Sequence, residues 1–337
     1  MNGVSFPDVS ITVQKGDALS FEADVLVLKY ADTVHGLDRE VFLQLSEARR
    51  DIEDFAPAEG ESVLIPARGV ISATEILVLG VGSLRSFGYQ EIRDFGKRAL
   101  ATLAESRPAT TSVALTLHGP GYGLDEREAF ESEIAGLLDA IHGGLFPKAL
   151  QQVTIVELNA KRAARLAMLL GELLFSKPRA AAETFAPPGL ELPARLKSVG
   201  YDSQAKPHIF VAMPFAEEMD DVFHYGINSA VNAAGFLCER ADLSTFTGDV
   251  IDWVKKRISS ASLVIADLSN ANPNVYLEVG YAWGCGRPTV LIVRDPPNVP
   301  FDVRGQRYLV YKKIQELETK LRAELEGLAA AGSSRHG

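Results

Sequence analysis

Short apolar runs alternate with longer amphipathic stretches along most of the chain. The runs are rich in Val, Ile and Leu, which is typical of strands buried on both faces of a parallel sheet. Between them, apolar residues recur at helical spacing. The runs that predict strands are Asp24–Ala31, Glu75–Gly82, Ser112–Gly119, Gln152–Asn159, His208–Pro214, Phe236–Arg240, Ala261–Ser269, Pro288–Asp295 and Arg307–Lys312. The alternation predicts the α/β fold class, with two three-layer domains that have mainly parallel sheets.

A proline-rich stretch without periodic pattern separates the two halves. It runs from Ala180 to Pro207 and contains four prolines, a residue that breaks both helix and strand. After it, the last helical pattern covers Lys313–Leu328 and is followed by small polar residues. The predicted boundaries are 1–178 for the first domain, 179–206 for a linker, 207–328 for the second domain and 329–337 for a disordered tail.

Composition and charge narrow the class of protein. A length of 337 residues suits two domains better than one. The net charge of −10 disfavours binding to a nucleic-acid backbone, because such binding needs a surplus of Lys and Arg. No apolar run approaches the ~18 residues of a membrane span and the start lacks a signal-peptide pattern, so we expect a cytoplasmic protein without membrane partners. The two cysteines, Cys238 and Cys285, lie in no zinc-type cluster, so no metal site is predicted.

One acidic residue lies within the apolar helix predicted over Pro273–Trp283. Asn272 suits the N-cap and Pro273 the first helical position, which places Glu278 in the second turn. The partial positive charge of the helix start favours an ionised carboxylate there. Helical spacing predicts a packing face of Val275, Val279 and Trp283, and a second face that Glu278 shares with Asn274, Tyr281 and Ala282.

A second carboxylate is expected near Glu278. Ligands of parallel α/β sheets bind beyond the carboxyl ends of the strands, and Asp267 ends a predicted strand just before the helix entry. Two carboxylates at one cleft suit chemistry at a sugar carbon, where one attacks or stabilises the carbon and the other holds hydroxyl groups. A glutamate near a helix start is also common without any function, and the pattern alone leaves both interpretations open.

The second half resembles the nucleoside 2-deoxyribosyltransferase-like family, which borders on the TIR-like domains that cleave NAD. The resemblance covers roughly residues 208–311 and rests on the segments "HIFVAMPF", "ERAD", "LVIADLSNANPNVYLEVGYAWGCGRPTVLI" and "PFDVRGQRYLVY". It implies a flavodoxin/TIR-like domain in which Glu278 and Asp267 are the catalytic residues of N-glycosidic bond cleavage. The implied substrate-binding residues are Met213, Pro214, Phe215, Arg240, Asp242, Ser269 and Asn274.

One departure from that family bears on the reaction. Many of its transferases carry an acidic residue six positions before the glutamate, where this chain has Asn272. The difference favours nucleotide hydrolysis over deoxyribosyl transfer. The loop after Met213 lacks a glycine-rich phosphate cradle and is followed by four acidic residues, so a substrate phosphate is expected at Arg240 or near Asn274.

The first half resembles a macro domain. The segment "ITVQKGDALSFEADVLVLKYADTVHGLD" resembles a macro-domain opening, while "GESVLIPARGVISATEILVLGVG" and "RALATLAESRPATTSVALTLHGPG" resemble the macro-like N-terminal domain of leucine aminopeptidases. The resemblance implies an ADP-ribose-type ligand at two loops, Tyr30–Asp38 and His118–Gly123. A glycine-rich turn in a purely structural module is the alternative. The implied ligand residues are Asp24, His118, Gly119, Gly121, Tyr122 and Gly123.

These observations lead to one main hypothesis and two rivals. The main hypothesis is a hydrolase of the N-glycosidic bond in a nucleotide or NAD, regulated by a nucleotide-type signal that binds the macro-like domain. That pairing resembles bacterial antiphage effectors. A small-molecule nucleotide is the expected substrate, NAD is a substrate rather than a cofactor, no cofactor is predicted, and a homo-oligomer is expected. The rivals are a non-catalytic nucleotide-binding or scaffolding protein and a nucleoside deoxyribosyltransferase of nucleotide salvage.

Overall fold

The chain forms two compact units of α/β structure. The computed structural model describes residues 4–6, 9–31, 36–48, 56–83, 86–175, 194–240, 250–294, 306 and 308–333. The described residues up to Gly119 and those of Glu126–Gln204 form the first unit. The second unit contains Pro120–Asp125 and the described residues from Ala205 onwards. Most of the predicted linker lies outside the described residues.

The first unit contains a seven-stranded sheet. Its strands are β1 (Val4–Phe6), β2 (Val9–Lys15), β3 (Val25–Tyr30), β4 (Ser62–Pro66), β5 (Glu75–Gly80), β6 (Ser112–Leu115) and β7 (Gln152–Glu157). The order across the sheet is β1-β2-β7-β6-β3-β5-β4, and only the edge strands β1 and β4 pair antiparallel. The strands β1, β2 and β4 were not predicted from the sequence. β1 and β4 lie at the two edges of the described sheet, and edge strands are harder to predict because their apolar runs are short or interrupted. β2 lies between β1 and β7, but polar residues alternate with its apolar ones, so it contains no continuous apolar run.

Helices flank this sheet. They are α1 (Gly36–Ala48), α2 (Tyr89–Ser106), α3 (Glu126–His142), α4 (Ala160–Phe175) and α5 (Ala194–Ser198). Helical spacing of apolar residues predicts helices over Glu126–His142 and Ala160–Phe175, and α3 and α4 have these bounds. In α2 and α3, Gly96 and Gly136 let the two helices cross closely, because a Cβ on Gly136 would lie 1.9 Å from the carbonyl oxygen of Arg93.

The second unit contains a five-stranded parallel sheet. Its strands are β8 (His208–Ala212), β9 (Leu237–Glu239), β10 (Leu263–Asp267), β11 (Thr289–Arg294) and β12 (Tyr308–Tyr311), arranged in the order β12-β11-β10-β8-β9. Counted from β8, this is the 2-1-3-4-5 order of a doubly wound sheet. The chain changes direction across the sheet between β8 and β10, and ligands of such sheets bind in the crevice outside the carboxyl ends at that point. The predicted fold class, two mainly parallel α/β sheets, is confirmed.

Two helical layers cover this sheet. One contains α6 (Glu217–Asp221), a π-helical segment (Val222–Asn228), α7 (Ser229–Ala233) and α10 (Ile314–Ser333), and the other contains α8 (Val250–Ser260) and α9 (Pro273–Gly284). Ile209, Val211 and Ile265 pack against the first layer, and Phe210, Ala212 and Val264 pack against the second. Each core is therefore made by alternate residues of the same strands.

The C-terminal helix is longer than predicted. α10 continues to Ser333, so the first part of the tail expected to be disordered from residue 329 is helical. Three consecutive alanines, Ala329–Ala331, explain the extension, since alanine has the highest helix propensity. In the part of the chain that the structure describes, no helix combines the length and apolar character needed to cross a membrane.

Candidate active site

An arginine lies between two aromatic rings beyond the carboxyl ends of β8 and β9. Arg240 follows β9 directly, and its guanidinium carbon lies 4.0 Å from the ring centroid of Phe215 and 3.9 Å from that of Phe223. One guanidinium nitrogen lies 3.7 Å from the sulfur of Met213, and the other lies 3.8 Å from a carboxylate oxygen of Asp220. The predicted residues Met213, Phe215 and Arg240 therefore lie together. The two rings hold the cation by cation–π attraction and fix its plane.

This arrangement suits an anionic ligand. A planar guanidinium donates two parallel hydrogen bonds to a phosphate, and the flanking rings keep that plane in one orientation. Phe215 is 39% exposed, so its ring is accessible from the crevice, and Pro214 beside it is half-buried. The contribution of Phe223 was not predicted, since its side chain reaches Arg240 from the π-helical segment and the sequence carries no signal for such a segment.

Asp267 organises the turn between β10 and α9. Its carboxylate is completely buried and accepts hydrogen bonds from the backbone N–H of Ser269 (2.8 Å) and the hydroxyl of Tyr311 (3.1 Å). Burial raises the pKa of Asp267, and these hydrogen bonds oppose the rise without cancelling it. The Ser269 hydroxyl accepts the backbone N–H of Arg294 (2.9 Å). Asp267 and Ser269 therefore join three neighbouring strand ends.

The position of Asp267 differs from the expected approach to Glu278. Strand alternation places its side chain on the face of Leu263 and Ile265, and α9 covers the other face. No hydrogen bond joins the two carboxylates within the described residues. The structure therefore does not bring them together as a pair, and Tyr311, which was not predicted as a site residue, is the direct partner of Asp267.

The start of α9 has the predicted cap. The side-chain oxygen of Asn272 accepts the backbone N–H of Asn274 (2.9 Å), and Pro273 occupies the first turn. Asn274 is exposed at the helix start. Just before the cap, Ala271 has a φ of 47°, a left-handed conformation that costs a residue with a Cβ about 1 kcal/mol or more. The turn between β10 and α9 is therefore held in a strained form next to the crevice.

Glu278 lies on the buried face of α9. That face consists of Val275, Glu278, Val279 and Ala282, whereas Trp283 is 40% exposed, so the predicted packing role of Trp283 is wrong. The reason is geometric. At 3.6 residues per turn, positions 275, 278, 279 and 282 form one stripe and position 283 points away from it.

The Glu278 carboxyl is buried without a compensating partner. The residue is only 9% exposed, and burial alone raises the pKa of Glu278 to about 7. Among the described residues, no hydrogen bond or ion pair reaches its carboxylate. A buried ionisable group without partners destabilises the fold when it is charged. Such groups are retained preferentially at functional sites, where a perturbed pKa serves the chemistry.

Asp24 has a structural position rather than the predicted ligand position. It precedes β3, and its carboxylate accepts hydrogen bonds from the backbone N–H and hydroxyl of Thr111 (2.6 and 2.7 Å) and from the backbone N–H of Ser112 (3.0 Å). Burial raises the pKa of Asp24, but these hydrogen bonds lower it by more, so it lies below its usual value. Asp24 and His118 lie at opposite ends of the strands, and the structure does not bring them to one site.

His118 and Glu133 form a buried pair in the first unit. Two phenylalanine rings, Phe95 and Phe87, flank the imidazole with centroids 4.4 and 6.4 Å away, and its Nδ1 lies 3.5 Å from a Glu133 carboxylate oxygen. Both ring nitrogens of His118 and Oε1 of Glu133 lack hydrogen-bond partners. Burial lowers the pKa of His118 well below its usual value and raises the pKa of Glu133 to about 8. Both side chains are therefore uncharged at neutral pH, which is the less costly state for groups in an apolar site.

Replacement of Glu133 should alter the alkaline stability of the protein. Folding raises the pKa of Glu133 to about 8, so this proton stabilises the fold at low pH and its contribution is lost as pH rises through 8. Between pH 7 and 9, wild type should lose about 1 kcal/mol more unfolding free energy than Glu133→Gln, measured by urea denaturation at each pH. Glu105→Gln, the same change at an exposed position of α2, should track wild type. Parallel pH curves for wild type and Glu133→Gln would contradict the assignment.

Part of the glycine-rich loop predicted to bind a ligand belongs to the second unit. Gly119 and Gly123 have φ values of 102° and 91°, and Gly121 and Tyr122 lie in the short 3₁₀ turn Pro120–Tyr122 between them. Positive φ explains why glycine stands at 119 and 123. The segment Pro120–Asp125 belongs to the second unit, where the carbonyl oxygen of Gly123 accepts the backbone N–H of Arg240 (3.1 Å). This part of the predicted ligand loop is thus engaged in a structural contact.

The structure describes only some of the remaining candidate positions. Asp242 lies outside the described residues, as do residues 32–35 of the predicted Tyr30–Asp38 loop. Within the described ranges, no three His, Cys, Asp or Glu side chains are grouped to hold a metal ion.

A cavity of about 500 Å³ lies at the carboxyl end of β5 and contains none of the predicted ligand residues. Its lining includes both acidic and basic side chains: Glu59, Gly60, Val81, Glu91, Asp94, Lys97, Arg98 and Ala101.

Comparison with known sequences identifies part of the first half. Residues 29–142 match the N-terminal domain of the cytosol aminopeptidase family. The match confirms the resemblance noted for that segment. It covers about a third of the chain. No curated protein sequence gives a significant match to the chain.

Solved structures show weak similarity to parts of the chain. The CMP N-glycosidase of Clostridium botulinum shares 20% identity, covering 35% of this chain and 98% of that one, with a TM-score of 0.30. A macrodomain of Oceanobacillus iheyensis with ADPR shares 15% identity, covering 52% and 99%, with a TM-score of 0.40. A Trypanosoma brucei macrodomain in complex with ADP-ribose shares 14% identity, covering 48% and 69%, with a TM-score of 0.38. Similarity at this level does not define the activity of this chain.

Proposed function

We propose that the second unit hydrolyses the N-glycosidic bond of a nucleotide or of NAD, with Glu278 as the catalytic carboxylate. The buried, unpartnered carboxyl of Glu278 carries this proposal. It lies on α9, which begins just beyond the carboxyl end of β10, next to the point where the strand order reverses. The motif resemblance of the second half assigns the same residue to the anomeric carbon, so two lines of reasoning agree on it.

The chemistry needs one carboxylate and one water molecule. As the bond between the sugar carbon and the base nitrogen breaks, the bonding electron pair leaves with the base and positive charge develops on the sugar carbon. Ionised Glu278 either bonds to that carbon or stabilises its charge. Water then supplies a hydroxyl group to the carbon, which displaces the Glu278 carboxylate if the two have bonded, and the remaining proton of the water neutralises the departing base. A carboxylate that lacks hydrogen bonds has its full negative charge available for this step.

Two neighbouring groups support the reaction in this proposal. Arg240 binds a substrate phosphate, for which its orientation between Phe215 and Phe223 prepares it. Asp267 positions the turn that leads into α9 and does not touch the substrate, because both of its oxygens are engaged by Ser269 and Tyr311. Asp267 is thus a positioning residue here rather than a second catalytic carboxylate.

We also propose that the first unit binds a nucleotide-type signal and that the protein acts as an antiphage effector. The resemblance of the first-half sequence to a macro domain motivates this proposal, and residues 29–142 match the N-terminal domain of the cytosol aminopeptidase family. Self-association is proposed through α9, on which the side chains of Leu277 and Trp283 are exposed. Large exposed apolar side chains on one helix are typical of contact surfaces.

A survey of consumed nucleotides tests the proposed function. Purified protein is incubated with nucleoside monophosphates, deoxynucleotides, nucleosides and NAD, alone and with cyclic nucleotides or ADP-ribose as activators. Mass spectrometry is expected to show release of a free base from a phosphate-bearing substrate. Binding without release under every condition would favour the rival reading, a non-catalytic nucleotide-binding protein, which Asn272 in place of an acid also favours. Exchange of bases between two deoxynucleosides would instead indicate a transferase.

Arg240→Ala should discriminate between substrates with and without phosphate. Charge-assisted hydrogen bonds contribute about 1.5–3 kcal/mol, so KM for a nucleoside monophosphate should rise roughly 10- to 100-fold while KM for the matching nucleoside stays nearly constant. Arg240→Lys should be intermediate, because it keeps the charge but not the paired donors. Arg322→Ala, at an exposed arginine on α10, serves as the control. Equal losses on both substrates would show that Arg240 does not bind the phosphate.

A further inference from the structure

We infer that Asp125, together with the backbone carbonyl of Gly123, positions Arg240 for substrate binding; this rests on the proposed function of the second unit. The two residues lie in the six-residue segment Pro120–Asp125, which is compact with the second unit although Gly119 and Glu126 on either side belong to the first. The sequence resemblance assigned this loop to a ligand of the first unit. Its contacts point to a different role.

The segment covers the open edge of a short strand. Among the described residues, β9 is the last strand of its sheet and pairs only with β8, with Leu237 opposite His208 and Glu239 opposite Phe210. Backbone N–H groups alternate in direction along a strand, so those of Cys238 and Arg240 point away from β8. The carboxylate of Asp125 accepts the first (2.9 Å) and the carbonyl of Gly123 accepts the second (3.1 Å). Both outward donors are thereby satisfied by one segment.

Burial and backbone geometry make this contact specific. Asp125 is buried, and a buried carboxylate that accepts a backbone N–H forms a stronger hydrogen bond than a neutral acceptor would. Gly123 has a φ of 91° and its N–H bonds the carbonyl of Pro120, which closes the turn and directs the Gly123 carbonyl towards Arg240. A residue with a Cβ is strained at this φ, so the turn requires glycine.

The contact bears on the candidate site because β9 is only three residues long. Arg240 follows it immediately, and its guanidinium must enter the space between Phe215 and Phe223. A strand with one neighbour and few hydrogen bonds does not fix its own end. Displacement of a substrate-positioning group by about 1 Å lowers activity about a hundred-fold, so the hold on the Arg240 backbone matters for binding.

A double-mutant cycle tests the inference through kinetics. Asp125→Ala should raise KM for the nucleoside monophosphate about ten-fold, with kcat and the KM of the matching nucleoside nearly unchanged. Asp125→Asn keeps an acceptor oxygen and should restore most of the affinity. In an Arg240→Ala background, Asp125→Ala should add little, because the group that it positions is already gone. Additive losses in the cycle, or equal losses on nucleoside and nucleotide, would show that Asp125 only stabilises the fold and would overturn the inference.

Hydrogen exchange separates this inference from the proposed function. Exchange at the Cys238 and Arg240 amides, followed by mass spectrometry in the full chain without substrate, should be faster in Asp125→Ala than in wild type and close to wild type in Asp125→Asn. If wild type hydrolyses no nucleotide, the proposed function fails, and the exchange data still decide whether Asp125 holds this strand end. Unchanged exchange in Asp125→Ala overturns the inference. If Asp125→Ala does not fold, Asp125→Asn is compared with wild type instead. Loss of phosphate affinity in Asp125→Asn without faster exchange at the Cys238 and Arg240 amides would contradict the inference.

Discussion

Glu278→Gln is expected to lose about a thousand-fold in kcat for hydrolysis of the N-glycosidic bond, with little change in KM. Glutamine matches glutamate in shape but cannot bond to the sugar carbon or neutralise its developing charge. The loss therefore falls on the transition state and not on substrate binding. Steady-state kinetics with the substrate identified by the nucleotide survey measure it directly. Retention of more than a tenth of the wild-type kcat would eliminate Glu278 as the catalytic carboxylate.

The pH dependence adds an independent signature. Burial raises the pKa of Glu278 to about 7, so wild-type kcat should rise with pH through 7 as the carboxyl ionises. Stability changes in the opposite direction. The folded protein holds this proton more tightly than the unfolded chain, so the corresponding stability is fully present below about pH 4.5 and is lost as pH rises through 7. At pH 8, Glu278→Gln should be more stable than wild type by up to about 3 kcal/mol.

Measured together, kcat and the free energy of unfolding distinguish a loss of catalysis from a loss of folding. An inactive variant that is at least as stable as wild type at pH 8 has not lost activity by unfolding, and urea denaturation at pH 5 and pH 8 provides the comparison. Glu217→Gln makes the same change at an exposed position in the first turn of α6 and should alter neither kcat nor stability appreciably. If Glu278→Gln were less stable than wild type at pH 8, its carboxylate would have a stabilising partner and the site would need a different explanation.

Arg93→Ala is expected to destabilise the first unit by about 3–5 kcal/mol, because it breaks a buried ion pair from one side. Arg93 is only 3% exposed, and its guanidinium donates two hydrogen bonds to the carboxylate of Asp139 (2.8 and 3.0 Å). It also donates to the backbone carbonyls of Lys197 and Val199, and it lies 4.3 Å from the ring centroid of Tyr201. Without it, a carboxylate and two carbonyls lose their donor.

The matched control is an arginine with similar contacts at the surface. Arg107 donates two hydrogen bonds to Glu75 (2.8 and 2.9 Å), but its side chain is 47% exposed. Exposed ion pairs contribute about 1 kcal/mol or less, so Arg107→Ala should shift the urea midpoint only slightly. The two variants thus compare an arginine–carboxylate ion pair in a buried and in an exposed position. Equal destabilisation would mean that burial of Arg93 does not set the size of its effect.

The sequence predicted those parts of the fold that depend on local pattern. The inner strands β8 and β10 were recognisable as uninterrupted apolar runs, because both of their faces are covered. The cap at Asn272 and Pro273 was predictable since it depends on neighbouring residues only. The packing role predicted for Trp283 was wrong because the helical period places Glu278, and not Trp283, on the packing stripe of α9.

Contacts between distant parts of the chain could not be predicted from the sequence. The bond between Asp267 and Tyr311 joins residues 44 positions apart, and the contact of Asp125 with Cys238 joins residues 113 positions apart. Such pairs depend on strand order, which no local pattern contains. The hydrogen bonds of Asp24 to Thr111 and Ser112 were not predictable for a related reason, since the sequence beside a strand does not show which neighbouring strand a carboxylate meets.

The segment Pro120–Asp125 means that the second unit is not contiguous in the sequence. Recombination within the proline-rich stretch would exchange the second half of the chain for that of another protein. Pro120–Asp125 would stay with the first half and would face a second unit with a different sequence. The backbone N–H groups of Cys238 and Arg240 at the edge of β9 would then lack acceptors and could pair with a strand of another molecule. The two halves are therefore constrained to be inherited together, and a change in either one must remain compatible with the other.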